Sequence, residues 1–356
     1  MCLRRERLVA RRFASDLASC APRIKTNALN SAAASDAERY ERRAAVVTIV
    51  TPFAAVFLAI WYFWGNGISG LDLALMAFMY TVTGLGITVG FHRLFTHRSF
   101  ECVTPVRVAL AVAGSMSAQG PILFWTACHR RHHQCSDDVG DPHSPHNHGP
   151  GIAGVLMGCW HSHVGWMFNH KPENYIRRVP DLIRDRRLMA INRWYPAIVI
   201  GGLLLPGVIA LAITGRWAAF GSAVLWAGFV RLFLGHHTTW SINSVCHLFG
   251  GSPYETGDRS RNNGVCALLT FGEGWHNNHH AFPTSARHGL RWWQLDGSFI
   301  LIRTLALVGL VWNVRLPSPE QLEARSFRPQ LDAEVVAANP PVDDVVPPSV
   351  RPTSPA

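Results

Sequence analysis

The sequence predicts an all-α integral membrane protein: four transmembrane helices in two hairpins, with a helical cap on one membrane face that carries a histidine-rich site. Three observations point there. Four apolar stretches have the length that crosses a bilayer. The links within each pair are only a few residues long. Nine histidines, half of the 18 in 356 residues, then gather at short repeated spacings just beyond those stretches.

The first stretch runs from about Ala44 to Trp64, with Thr48 and Thr51 as its polar interruptions. The second spans Leu71 to Phe91, the third Tyr195 to Thr214 and the fourth Trp217 to Gly235. Each is near the ~20 residues that cover ~30 Å of hydrocarbon. Gly65 to Gly70 links the first pair and Gly215-Arg216 the second, which makes two hairpins. A fifth apolar block, Val103 to Trp125, holds Arg107, Ser115, Ser117, Gln119 and Pro121. If it crossed the bilayer, the first two histidine clusters would lie on opposite faces. It is therefore expected to enter and return, or to lie along the surface, and to wall a substrate channel, because polar backbone at membrane depth must be buried in protein or line a cavity.

Charge sets the topology. The net charge is +10, with Arg far outnumbering Lys, and residues 1–43 carry ten basic residues. Residues 170–193 add Lys171, Arg177, Arg178, Arg184, Arg186, Arg187 and Arg193, whereas the two hairpin links carry only Arg216. The positive-inside rule then places both termini and all the histidine clusters in the cytoplasm. No basic stripe interleaved with aromatics suggests nucleic acid, so none is expected as a partner. Trp61, Trp64, Trp194, Trp217 and Trp240 sit near the segment ends, as an interfacial belt requires.

Residues 1–43 are expected to form a basic, disordered cytoplasmic arm rather than a secretory signal. Residues 44–316 form the membrane domain, its cap made of 92–193 and 236–316. The tail 317–356, with nine prolines, is expected to be disordered. Eight cysteines form no CxxC pair and read as reduced thiols. Cys128 and Cys246 each precede a clustered histidine, yet are expected to be small buried residues rather than thiolate ligands.

The clusters are His92 and His97, His129-Arg-Arg-His132-His133, the lone His247, and His276-Asn-Asn-His279-His280. In HxxHH the three imidazoles fall on one helical face and can converge on one or two ions. Asn243 and His247 share an i, i+4 relation. Imidazole suits Zn, Cu, Fe and Ni. One zinc needs about four ligands, so nine histidines fit two ions of five or six coordination, an arrangement suited to oxygen chemistry. Two irons are the expectation; two zincs or two manganese ions stay open on ligand count. A haem carrier would place paired histidines inside membrane helices, and the four stretches as bounded hold none.

At these residues the chain resembles the membrane-bound fatty acyl desaturases, in particular the Δ9, stearoyl-CoA desaturase-like group. The matching stretches are Gly90 to Phe100, Trp125 to His133, Asp141-Pro-His143, Ser162 to Trp166, Trp240 to His247 and Gly272 to Pro283. The resemblance implies an O2-dependent oxidoreductase with two Fe ions, which introduces a cis double bond, expected at Δ9, into a saturated C16 or C18 acyl chain. It implies His92, His97, His129, His132, His133, His247, His276, His279 and His280 as ligands, and Asn243 as a ligand through water. Gln119, Trp125 and Trp240 match positions near a bent acyl tunnel, and Tyr80, deep in the second helix, is expected to cap it. His143, His146, His148, His161 and His163 are expected to lie outside the coordination sphere.

The implied substrate is an acyl-CoA in the membrane of a bacterial cell, with the metal site cytoplasmic. Ala127-Cys128 and the Ser144-Pro-His146 segment depart from the acyl-CoA enzymes, so a lipid-bound or carrier-bound chain stays open. Electrons are expected from a separate ferredoxin-, rubredoxin- or cytochrome-type donor with its reductase. The alternatives are an acyl-lipid desaturase of other regiospecificity, a membrane di-iron hydroxylase on the same scaffold, and a zinc-dependent membrane hydrolase.

Overall fold

A computed structural model describes residues 28–169 and 175–326. It is helical almost throughout, and its four longest apolar helices have the length and composition of membrane spans. The first is α1 (Ala28–Asn66), the second α2 (Gly70–Leu85) with its π-helical continuation Gly86–Thr96. After β1 (Glu101–Cys102) come α3 (Thr104–Ser115), α4 (Ile122–Gln134), α5 (Gly151–Trp160) and α6 (Arg186–Arg193). The second pair of spans is α7 (Tyr195–Thr214), and α8 (Trp217–Ala223) continued through a π-helical stretch into α9 (Arg231–Leu248). The short helices α10 (Gly264–Leu269), α11 (His276–Ala281) and α12 (Gly297–Leu307), then β2 (Val311–Trp312) and α13 (Pro319–Arg325), complete the cap.

The bilayer-facing surface is what the hydropathy predicts. Phe57, Trp61, Trp64, Ile213 and Trp217 stand exposed, as side chains meant for lipid must. Trp240 departs from the aromatic belt: it is buried, packed against His236 at 5.0 Å between ring centroids. The two hairpins are tied at their far end by Asp72. Its Oδ2 accepts from the Ser69 backbone N–H and hydroxyl at the start of α2 and from Ser222 Oγ on α8 (2.9 Å), so the buried acid is hydrogen-bonded to both hairpins.

Several boundaries differ from the sequence reading. Helix α1 begins at Ala28, within the segment expected to be a disordered arm; residues 1–27 lie outside the described residues. Helix α13 and the bridge between Tyr254 and Ser326 likewise structure the start of the expected disordered tail, while 327–356 lie outside the described residues. The second span runs on to Thr96 and the fourth to Leu248, 32 residues from Trp217. At 1.5 Å per residue the fourth helix is ~48 Å long, well beyond a ~30 Å hydrocarbon layer. His92, His236, His237 and His247 therefore lie inside continuous helices, contrary to the expectation of histidine-free helices. The apolar windows end where hydrocarbon would end, but the hydrogen-bond ladder has no reason to stop there.

The block Val103 to Trp125 does not span. It breaks at residues 116–121 between α3 and α4, where Ala118 and Gly120 take positive φ (55° and 105°). Arg231, within the fourth span, is 1% exposed and donates to the carbonyls of Ala227, Met116 and Gly202, pinning α9 to that break and to α7.

The π-helical segment packs backbone to backbone on α3. A Cβ on Gly86 would lie 2.2 Å from the Gly114 nitrogen and 2.4 Å from the Ala113 carbonyl carbon. Gly86→Ala is expected to lower stability by at least ~1–3 kcal/mol, the usual penalty of overpacking. Detergent-solubilised protein followed by thermal unfolding should show the loss, with Gly65→Ala, which meets nothing within 4 Å, as the unaffected control.

Candidate metal centre

Each histidine reaches the site from the end of a helix. His92 and His97 are five residues apart, and the π-turn makes that spacing work: the His97 N–H donates to the His92 carbonyl (3.1 Å), the i→i+5 bond of a π-helix. Both rings then lie on one side. His129, His132 and His133 sit on the last turns of α4, His247 on the last turn of α9, and the remaining three on α11.

The nine rings resolve into two groups. One contains His92, His97, His129, His133 and His279; the other contains His132, His247, His276 and His280. Each HxxHH cluster is divided between them. Residues i and i+4 of α4 serve the first group and the intervening i+3 serves the second, while in α11 His279 separates from His276 and His280. Asn243 lies one turn before His247 on the same helix.

The ring nitrogens carry the chemical argument. In the first group Nε2–Nε2 separations are 3.1 Å for His92–His279, 2.9 Å for His279–His133 and 3.1 Å for His133–His129. In the second they are 3.0 Å for His247–His276 and 3.4 Å for His132–His280. On the opposite side of the rings, Nδ1 donates to carboxylates: His92 to Glu273 (2.5 Å), His132 to Asp141 (3.0 Å), His247 to Asp137 (2.9 Å) and His280 to Asp258 (2.5 Å). A neutral imidazole has one proton. With that proton on Nδ1, each Nε2 presents a lone pair, and lone pairs facing one another at ~3 Å repel unless a cation lies among them. Two metal–nitrogen bonds of ~2.1 Å, at 90° to 110°, put their nitrogens ~3.0–3.4 Å apart. The separations and the carboxylate–histidine pairing both fit metal binding.

The titration behaviour agrees. Burial, then the neighbouring imidazoles, hold His129, His133, His276 and His279 well below the ordinary histidine range, in the neutral, ligating form. Burial also carries His280 to about 4 despite Asp258. His132 is raised: burial pulls it down, but the charge and hydrogen bond of Asp141, with the charges of Asp137 and Asp258, together outweigh it. Asp137 is lifted by burial, yet its hydrogen bond from His247 and the charge there bring it down to about 2. Asp137 is thus ionised beside a cluster in which most imidazoles stay neutral.

A second layer locks these groups. Buried Arg93, beside His92, donates to Glu273 and Asp296 and to the Ala286 carbonyl. Asp296 in turn accepts from the backbone of His288 and Gly289 and caps α12. Gly272 approaches Asp296 so closely, at positive φ, that a Cβ would stand 2.5 Å from Oδ1. The two asparagines within the last cluster fix its helix: Asn277 bonds the backbone of Tyr254, and Asn278 bonds Asn262, Gln294 and the His288 carbonyl.

The remaining expected residues are distributed as follows. Tyr80 and Gln119 line a narrow, part-open cavity of about 30 Å³, together with Thr83, Thr88, Thr239 and Arg231. Gln119 donates to Thr239 (2.9 Å), and the Tyr80 hydroxyl donates to the Leu269 carbonyl (2.7 Å). Trp125 stacks on His129 at 5.1 Å between centroids. Trp240 packs on His236 and His163; neither tryptophan is among the residues lining that cavity. Cys246 is buried, and neither it nor Cys128 belongs to a ligand cluster among the described residues. His146 reaches the His247 carbonyl, while His143 lies 3.7 Å from Asp141.

Sequence reasoning missed the carboxylates Asp137, Asp258 and Glu273, and also His288, whose buried ring packs 4.5 Å from His279 and 3.4 Å from Glu273. Glu273 and Asp141 do lie in stretches that carried the resemblance; Asp258 lies in a loop with no spacing signal.

A four-span helical bundle that gathers nine imidazoles into two groups defines a membrane protein with a candidate metal centre. The chain belongs to the fatty acid desaturase family, which it matches over residues 68–297. It is 44% identical over 280 residues to the hex-5-enoyl-[acyl-carrier protein] acetylenase of Moorena producens, covering 78% of this chain and 87% of that protein. It is 38% identical to the sn-1 stearoyl-lipid 9-desaturase of Anabaena variabilis, covering 74% and 91%. It is 36% identical to the acyl-CoA C20 Delta5-desaturase of Anemone leveillei, covering 70% and 76%.

The guanidinium of Arg93 is a two-sided fork between Glu273 and Asp296, a geometry that an ammonium cannot copy. Arg93→Lys is expected to cost several kcal/mol, within the ~3–5 kcal/mol of a broken buried pair, and to lower metal content. Thermal unfolding and metal analysis of the purified variant measure both.

Proposed function

We propose that this protein is an O2-dependent desaturase that introduces a cis double bond at Δ9 into a saturated C16 or C18 acyl chain presented as acyl-CoA, using a two-iron centre. The observation that carries the reading is the pair of imidazole groups with converging Nε2 lone pairs and carboxylate-backed Nδ1 protons. His92, His97, His129, His133 and His279 would hold one iron; His132, His247, His276 and His280 would hold the other, with Asn243 acting through a water. Bound iron would supply the reduction of O2 to water and the oxidising power that removes one hydrogen from each of two adjacent methylenes.

The protein's own residues do the rest. Glu273, Asp141, Asp137 and Asp258 hold the Nδ1 protons of His92, His132, His247 and His280 and so fix the tautomer in which those four Nε2 atoms are free. Thr88 lies four residues before His92 and Thr239 four before Asn243, so the cavity they line starts about one turn from the metal ligands. It extends along α2 to Tyr80, eight residues or ~12 Å further. The acyl chain would lie there against Gln119, its end stopped by the Tyr80 ring, while Trp125 and Trp240 would act from outside the cavity lining. Two electrons come from a separate ferredoxin-, rubredoxin- or cytochrome-type donor with its reductase, docking on the basic cap. The site faces the cytoplasm of a bacterial cell, by the arginine distribution.

The stearoyl-lipid 9-desaturase relatives support a C18 chain and the Δ9 position. A lipid-esterified chain is the second reading: Ser144-Pro-His146 follows Asp141-Pro-His143 with no basic residue to meet a CoA phosphate.

Purified protein is expected to hold about two irons per chain. Expression in a host lacking unsaturated fatty acids should yield product whose double bond mass spectrometry places at carbon 9, and His132→Ala or His279→Ala should abolish it. Full desaturation by either variant would sink the proposal. In vitro, stearoyl-CoA against stearoyl-phospholipid separates the two head groups. Tyr80→Ala is expected to shift the product profile from C16 toward C18 and longer chains; an unchanged profile would remove Tyr80 as the stop.

A further inference from the structure

The two histidine groups are not backed equally. In the four-histidine group, three imidazoles out of four hand Nδ1 to a carboxylate: His132 to Asp141, His247 to Asp137 and His280 to Asp258. Hydroxyls and backbone amides, rather than cations, hold these aspartates. Ser144 and the Arg259 amide donate to Asp137, the amides of Asp137 and His143 to Asp141, and Thr256 and Ser260 to Asp258. Among the described residues no Lys or Arg side chain forms an ion pair with any of the three. Their negative charge is therefore left for whatever the histidines bind.

The five-histidine group is built differently. Only His92 is backed by a carboxylate, and that carboxylate, Glu273, is already paired with the guanidinium of Arg93 (3.1 Å). Among the described residues His97, His129, His133 and His279 form no carboxylate pair, and the buried Nδ1 of His279 has no hydrogen-bond partner, a lack that His276 alone shares in the four-histidine group. An imidazole that gives its Nδ1 proton to a carboxylate is a more basic ligand through Nε2, and each such outer partner is worth roughly 10–100-fold in metal affinity. The fifth imidazole works the other way. It is one ligand set against two further carboxylates and an arginine that neutralises the only carboxylate on its own side.

We infer that the centre is unequal by construction: the position made by His132, His247, His276 and His280 binds its metal tightly, with Asp137, Asp141 and Asp258 as positioning residues, and the five-histidine position is the labile one. This rests on the two-metal reading above. The imbalance would also order assembly, the four-histidine position filling first and the second metal entering a site already half built.

The test follows metal rather than turnover. Iron-loaded protein, anaerobic in detergent, is challenged with excess of a ferrous chelator, and iron per chain is counted over time. Two phases of about one iron each are expected, differing about tenfold or more in rate. His97→Ala should remove the fast phase and His276→Ala the slow one. Asp137→Asn and Asp258→Asn should each speed the slow phase about 10–100-fold and spare the fast one, whereas Glu273→Gln should leave the slow phase alone. Release of both irons in one phase, or a slow phase that disappears with His97→Ala, overturns the inequality and leaves the two-metal reading standing. A starting content well below two irons per chain overturns that reading itself. Should an aspartate variant fail to fold, wild-type kinetics and the two histidine variants still decide.

Discussion

Eight imidazole Nε2 atoms must be held 2.9–3.4 Å from a neighbour, with the ninth ring, His97, within 4.8 Å of its group, and most of this structure follows from that constraint. Neutral imidazoles do not attract each other Nε2 to Nε2; without a cation the arrangement is repulsive as well as desolvated. A flexible scaffold would let the rings turn away. Here each is carried near the end of a helix whose other end is anchored elsewhere, in the bundle or in the cap. Four carboxylates then hold the Nδ1 side and remove the rotational freedom that the lone pairs would otherwise use.

The same constraint explains why a membrane protein buries so many ions beside its helices. Arg93, Glu273 and Asp296 are all nearly inaccessible, and taking such groups out of water costs several kcal/mol per ion. The cost is offset by dense bonding on the arginine side: the guanidinium meets Glu273, Asp296 and a carbonyl, and Asp296 collects three backbone amides besides. What this network provides is registry. It clamps the π-helical segment bearing His92, the Gly272–Gly274 turn before α11, and the start of α12, so that rings from three separate parts of the chain meet with ångström accuracy. The buried ions support the position of His92 more directly than they support stability.

How much of this the sequence discloses depends on where each interaction lives. The spans were legible because hydropathy is a local property; their ends were not, because polar residues such as Asn243 and His247 ride on a helix that leaves the bilayer without stopping. The nine histidines were legible as a set, but not their partition. On a helix His132 and His133 lie 100° apart, so one of the two can serve each neighbouring ion, and which ion depends on partners more than a hundred residues away. The five-residue step from His92 to His97 signals a π-turn only after the backbone is seen. Asp258 supports His280 from a loop that carries no periodicity at all. Short-range spacing encodes ligand type, and long-range topology encodes what each ligand is paired with.

The division between metal centre and cavity bears on what can vary within such a fold. Relatives of comparable identity to this chain, 36–39%, are Δ5-, Δ7- and Δ9-desaturases by name, so overall similarity does not rank the carbon attacked. On the proposed reading, the carbon attacked would be set by how far an acyl chain advances past the metal centre, a distance governed by the face of α2 ending at Tyr80 and by the break between α3 and α4 that carries Gln119. Arg231 stabilises this break from within a membrane helix, through the Met116 carbonyl. A shift of one turn in either element moves a cavity wall by ~5 Å, about four methylenes, without touching a single imidazole. On that reading the chemistry would stay fixed while the regiochemistry drifts, because the imidazoles and these cavity residues occupy different positions in the chain.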